Sequence, residues 1–161
     1  MSYYKYIIVN FWITNDVFFV RILIYWFVNE IWIITPGGIT LFNLSKDETI
    51  DPLIFGGFFS AIQSFVKTLG ESTLKTLVIG NSKITVYQGK EGYLFVSRSP
   101  QKIKDDSVMD YLKLVETKFF EQYGLILDGP IPDTNIFKKF GDIIKEIFED
   151  TPEKRTVKAL W

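Results

Sequence analysis

Residues 50 to 70, IDPLIFGGFFSAIQSFVKTLG, carry apolar side chains at a helical spacing. At about 100° per residue, Ile54, Phe55, Phe58, Phe59, Ala61, Ile62, Phe65, Val66 and Leu69 fill one broad arc. That arc predicts an amphipathic helix with these residues turned to the core. Asp51 before Pro52 reads as an N-cap ahead of the first helical position, and Gly70 stands where a C′ glycine belongs. The other side of the helix is unusual. A solvent face normally carries Lys, Glu and Arg, but this one carries Gly56, Gly57, Ser60, Gln63, Ser64 and one charge, Lys67. Such a low, nearly uncharged back suits close approach by another element, so these six residues are the candidate docking surface.

The pattern on either side predicts strands. IWIIT, from Ile31, and ITLFNL, from Ile39, flank Pro36-Gly37-Gly38, which is turn chemistry. A polar loop, SKDETI, leads to the helix. After Gly70, TLKTLVI, KITVYQ and YLFVSR read as three strands, separated by Gly80-Asn81-Ser82 and by the turn from Gly89 to Gly92. Lys83, Thr85 and Tyr87 alternate with Ile84 and Val86, which predicts a wetter face on that strand. Ile31 to Ile34 and Leu94 to Val96 are apolar on both faces, so these two strands should be central, with helices above and below.

Further on, Val108, Leu112, Val115 and Phe119 recur at helical spacing, and Gly124 marks the predicted end of that helix. Pro130 and Pro132 lie in a linker. Asp133 or Thr134 then caps a last helix, with Phe137, Phe140, Ile144, Ile147 and Phe148 on one face. The polar tail, 151–161, should be loose. The domain is therefore placed at residues 30–150, after a hydrophobic extension at 1–29.

Three readings are open for the first 28 residues, MSYYKYIIVNFWITNDVFFVRILIYWFV. A membrane-associating segment would place Asp16 and Arg21 near mid-depth. Each would cost ~2.5–3.5 kcal/mol against roughly −0.3 to −0.6 per large apolar residue, a marginal sum. An over-extended gene start would make Val28 the true beginning. The third reading is an additional strand or helix of the domain.

Composition narrows the chemistry. The 161 residues include no histidine and no cysteine, which removes Ser-His-Asp and Cys-His catalysis, thiol redox chemistry, and zinc or haem sites built on either residue. A net charge of −1 gives no basic surplus for nucleic acid. GNSK and YQGKEG fit hairpin turns and no phosphate-binding motif. Asp105, Asp106 and Asp110 precede or open a helix, where acidic residues offset the helix dipole. Ser97 and Ser99 flank Arg98, and nothing marks out a lysine base for either. The expectation is a domain with no catalytic residue, no cofactor and no metal, which favours binding over catalysis.

Three phrases, IWIITPGGITLF, DPLIFGGFFSAIQSF and GYLFVSRSP, resemble archaeal longin-like proteins, close in architecture to roadblock and profilin-like domains. The resemblance covers about residues 30 to 150. It implies an α/β (α+β) fold with a five-stranded antiparallel sheet in order 2-1-5-4-3, one helix on one face and two on the other. It also implies an interaction platform in a small-GTPase regulatory or trafficking-like complex in the cytoplasm, at or near a membrane. The partner would be a small GTPase or another longin or roadblock chain, with a homodimer and membrane contact through residues 1–28 both compatible. The alternative is a small-ligand sensor of the same layout, which requires an enclosed pocket with convergent polar groups.

Overall fold

The computed structural model describes residues 28–46, 50–131 and 133–149. The expectations for the extension up to residue 27 and for the tail from 151 lie outside them, as do those for the side chains of Ile147 and Phe148. Strands β1 (Glu30–Ile34), β2 (Thr40–Ser45), β3 (Thr76–Ile79), β4 (Ser82–Gln88) and β5 (Leu94–Pro100) form one antiparallel sheet in the order β2-β1-β5-β4-β3. Helix α1 (Pro52–Thr68) covers one face; α2 (Asp105–Leu127) and α3 (Phe140–Glu149) cover the other. The predicted sheet order, and the central place of β1 and β5, are those observed.

Local signals set most of the element ends. The Asp51 carboxylate accepts from Leu53 N–H at 2.8 Å, and Gly70 closes α1 with φ +84°. Gly38 donates its N–H to Thr35 at 2.9 Å across Pro36-Gly37, then takes φ +85° to turn the chain into β2. Two boundaries differ from expectation. Gly124 lies inside α2, which continues to Leu127; Tyr123 and Leu127 are buried, so packing extends the helix through the glycine. Asp133 caps a 3-10 turn, Thr134–Lys139, by accepting from Asn135 N–H at 2.9 Å, and α3 begins only at Phe140.

Odd and even positions of the central strands feed two cores, as a period of two requires. Ile31, Ile33 and Phe95 join Phe119, Phe137, Phe140 and Ile144 beneath α2 and α3. Trp32, Ile34, Leu94 and Val96 join Phe55 and Phe59 beneath α1. Trp32 stacks on Phe55, with ring centroids 3.8 Å apart.

The strand face predicted to be wet is buried. Lys83 and Thr85 lie under α2. Lys83 donates to the Ile103 carbonyl and pairs with Asp105 at the start of α2, so its charge leaves water with partners. Tyr87 donates to Glu116 Oε2 at 3.0 Å, while Glu116 Oε1 accepts from Lys90 N–H at 2.6 Å. One buried carboxylate thus ties α2 to β4 and to the β4–β5 turn.

Burial, then the Glu116 hydrogen bond and charge, raise the Tyr87 pKa above its ordinary 10.0. Burial also raises Tyr93 and Tyr123. A raised folded-state value means that the unfolded chain ionises first. The stabilisation from the neutral phenols is complete below pH 10.0 and is lost as pH rises through the folded values. Denaturant midpoints should therefore fall above that pH. Tyr87→Phe, which removes one such phenol, should flatten the fall, as urea titrations across the range will show.

Candidate functional site

The apolar arc of α1 is wider than one sheet face can bury. It spans about 160°, against the roughly 100° stripe of a typical surface helix. Only part of it turns inward: the buried positions are Phe55, Gly56, Phe59 and Gln63. The helix is rotated by about one residue's step, ~100°, from the orientation that its most apolar side would choose.

Steric fit explains the rotation. Gly56 sits against the turn between β1 and β2. A Cβ there would overlap the Gly38 carbonyl oxygen and stand 2.7 Å from Thr40 Oγ1. A Cβ at Gly38 would in turn lie 2.9 Å from Ser60 Cβ. Thr40 Oγ1 also donates to the Pro52 carbonyl at 2.6 Å. The small residues do receive a close neighbour, but that neighbour is the chain's own hairpin.

This divides the expected docking surface. Gly56 and Gln63 are buried, and Gln63 Oε1 accepts from Leu74 N–H at 3.4 Å. Ser60 is half-buried beside the hairpin. Gly57, Ser64 and Lys67 remain exposed, and Ser64 Oγ donates to the Ser60 carbonyl at 3.0 Å. A surface made of all six is therefore corrected to one that retains only the last three. The correction extends to Ile54, Phe58, Phe65 and Leu69, expected in the core.

Those residues form the surface that the sequence reading missed. Ile54 is 69% exposed, Phe58 47%, Phe65 62% and Leu69 64%, and Ala61 is exposed among them. Among the described residues nothing packs over this stripe. Large exposed apolar patches mark interaction sites more often than scattered single residues do. The excess width of the arc was the available signal. A second exposed apolar pair, Val78 and Ile79, ends the edge strand β3.

Other candidate chemistry is absorbed by the fold. Ser97 and Ser99 are fully buried, and Arg98 pairs with buried Glu30 on the adjacent strand. Lys83 lies opposite Ser99 in the β4–β5 pairing, but its ammonium is held by Asp105. Asp110 pairs with Lys113 at 3.3 Å. A cavity of about 540 Å³ opens between the start of α1 and the β1–β2 pair, lined by Glu30, Trp32, Asn43, Ser45 and Asp51 among others. Its two carboxylates are already engaged, Glu30 with Arg98 and Asp51 with the Leu53 N–H.

No protein-family model and no curated protein matches the chain. Among solved structures, MglB of Myxococcus xanthus is 10% identical, covering 53% of this chain and 84% of its own, with a TM-score of 0.39. The gliding protein MglB of Thermus thermophilus is 15% identical, covering 62% and 85%, with a TM-score of 0.40. At that level these are loose likenesses of chain path and say nothing of activity.

Two pairs of substitutions check the orientation of α1. Gly56→Ala should destabilise by about 1–3 kcal/mol through overpacking. Gly57→Ala meets nothing within 4 Å and should be neutral or stabilising by up to about 1 kcal/mol. Phe59→Ala should cost ~3–5 kcal/mol, whereas Phe65→Ala should cost less than about 1 kcal/mol. Chemical denaturation of the four variants reads all of these values.

Proposed function

We propose that this protein is a non-enzymatic interaction platform, a longin-like subunit of a small-GTPase regulatory or membrane-trafficking-like complex. The observation that carries the reading is the apolar stripe on α1 that nothing among the described residues covers. Ile54, Phe58, Ala61, Phe65 and Leu69 stand in water on a helix whose inner face is already buried. Leaving several large apolar side chains exposed forgoes ~1.5–3 kcal/mol each relative to burial. A protein partner recovers that energy by docking on them. The resemblance to archaeal longin-like proteins supports a small GTPase or another longin or roadblock chain in that role. The small-ligand alternative is weaker, because the carboxylates lining the cavity at the start of α1 already serve the fold.

The test is capture. The purified chain should retain a small GTPase or a longin-type chain from its own source, identified by mass spectrometry. Ile54→Glu combined with Phe65→Lys should abolish retention while denaturant stability stays within about 1 kcal/mol of the parent. Retention unchanged by both substitutions would remove α1 from the interface.

A further inference from the structure

Val28 and Asn29 fix the point at which residues 1–27 leave the domain. The Val28 side chain is buried in the core under α2 and α3. Asn29 donates its N–H to the Arg98 carbonyl at 2.8 Å, and its own carbonyl accepts from Lys46 N–H at 3.1 Å. That point adjoins the start of α1. The cavity of about 540 Å³ has Glu30 and Trp32 on its sheet side and Ile50, Asp51 and Pro52 on its helix side. Exposed Ile50 and Leu53 continue the apolar surface from this cavity to Ile54, where the stripe begins.

We propose that residues 1–27 fold back across the cavity and cover the stripe of α1, so that in the full chain the docking surface is occupied until a partner displaces them. The inference rests on the interaction-platform reading and names the regulation of its site.

Length, charge and attachment select this occupant. Helix α1 has 17 residues and is ~25 Å long; 27 residues span ~40 Å even at the helical rise, enough to cross the cavity and run the length of the stripe. The stripe carries no charge, and the extension carries three, Lys5, Asp16 and Arg21, set apart by apolar runs at 6–13 and 17–28. Two apolar surfaces on one chain therefore bury each other at no electrostatic cost. A tethered occupant also acts at an effective concentration on the order of millimolar. A free partner binds against that competition, and its apparent affinity falls by the fraction of molecules in which the stripe is open.

The sequence has no cysteine, so one introduced thiol reports on the stripe in the full chain. Ala61→Cys should be alkylated by iodoacetamide about 10-fold more slowly than Lys113→Cys, which stands exposed on α2. This protection should be unchanged on dilution by about 100-fold, because the cover belongs to the same chain. Phe19→Glu combined with Leu23→Glu puts two carboxylates into the apolar run nearest Val28. These should bring the Ala61→Cys rate up to the control and raise retention of a small GTPase or longin-type chain about 10-fold. If Ala61→Cys alters the near-ultraviolet circular dichroism, Leu69→Cys carries the same measurement. Alkylation at the control rate with the extension unaltered overturns the proposal. So does protection that is lost on dilution, which assigns the cover to a second copy, or protection that survives both glutamates. A chain that floats with phosphatidylcholine vesicles while the thiol reacts freely assigns the extension to lipid and overturns it too. A freely reacting thiol on a chain that still captures a partner through α1 would end the cover and leave the platform reading intact. Protection released by the glutamates, with no partner captured, would uphold the cover and defeat the wider reading.

Discussion

The close approach of Gly56 to the Gly38 carbonyl fixes the rotation of α1, and much of the molecule's surface chemistry follows from it. Both partners must be small at the contact. A side chain on Gly56 would meet the hairpin backbone, and one on Gly38 would meet Ser60 as well as strain a left-handed φ. With that contact made, Phe55 and Phe59 enter the core against Trp32, and Gln63 reaches the Leu74 backbone. The same rotation carries Ile54, Phe58 and Phe65 out into water.

The opposite face of the sheet solves a different problem. Helix α2 covers Lys83, Thr85 and Tyr87, which on pattern alone belong in solvent. Burying them is tolerable because the ionic and phenolic groups have partners there, Asp105 for Lys83 and Glu116 for Tyr87. Glu116 also holds the Lys90 N–H, so the carboxylate that neutralises a packing cost locks the β4–β5 turn. Removing Asp105 would leave the buried Lys83 ammonium without its counter-charge, which makes this contact intolerant of substitution.

The two faces therefore have different roles. The face under α2 and α3 is closed by a continuous aromatic core running from Phe95 through Phe119 to Phe137 and Phe140. On the other face, α1 is covered among the described residues only on its inner side. On the platform reading, α1 is a single layer shared between two contacts, the sheet beneath it and a partner above it. The breadth of its apolar arc serves both.

Much of the architecture was legible in the sequence because it depends on local, periodic signals. Asp51-Pro52 and Gly70 bounded α1, Pro36-Gly37-Gly38 placed the first hairpin, and two strands apolar on both faces identified the centre of the sheet. These signals act within a few residues, through backbone conformation and side-chain alternation, and they need no knowledge of what lies across the fold. The candidate site was legible only in part. An amphipathic arc says that a helix is apolar over a range of angles; it does not say which portion meets the sheet. Small and polar residues such as Gly56 and Gln63 ordinarily face water, and phenylalanines such as Phe58 and Phe65 ordinarily do not. Only the tertiary structure decided otherwise, because hard-sphere contact between Gly56 and the hairpin at Gly38 and Thr40 excludes a bulky residue there, and steric exclusion between segments distant in sequence leaves no periodic trace along the chain.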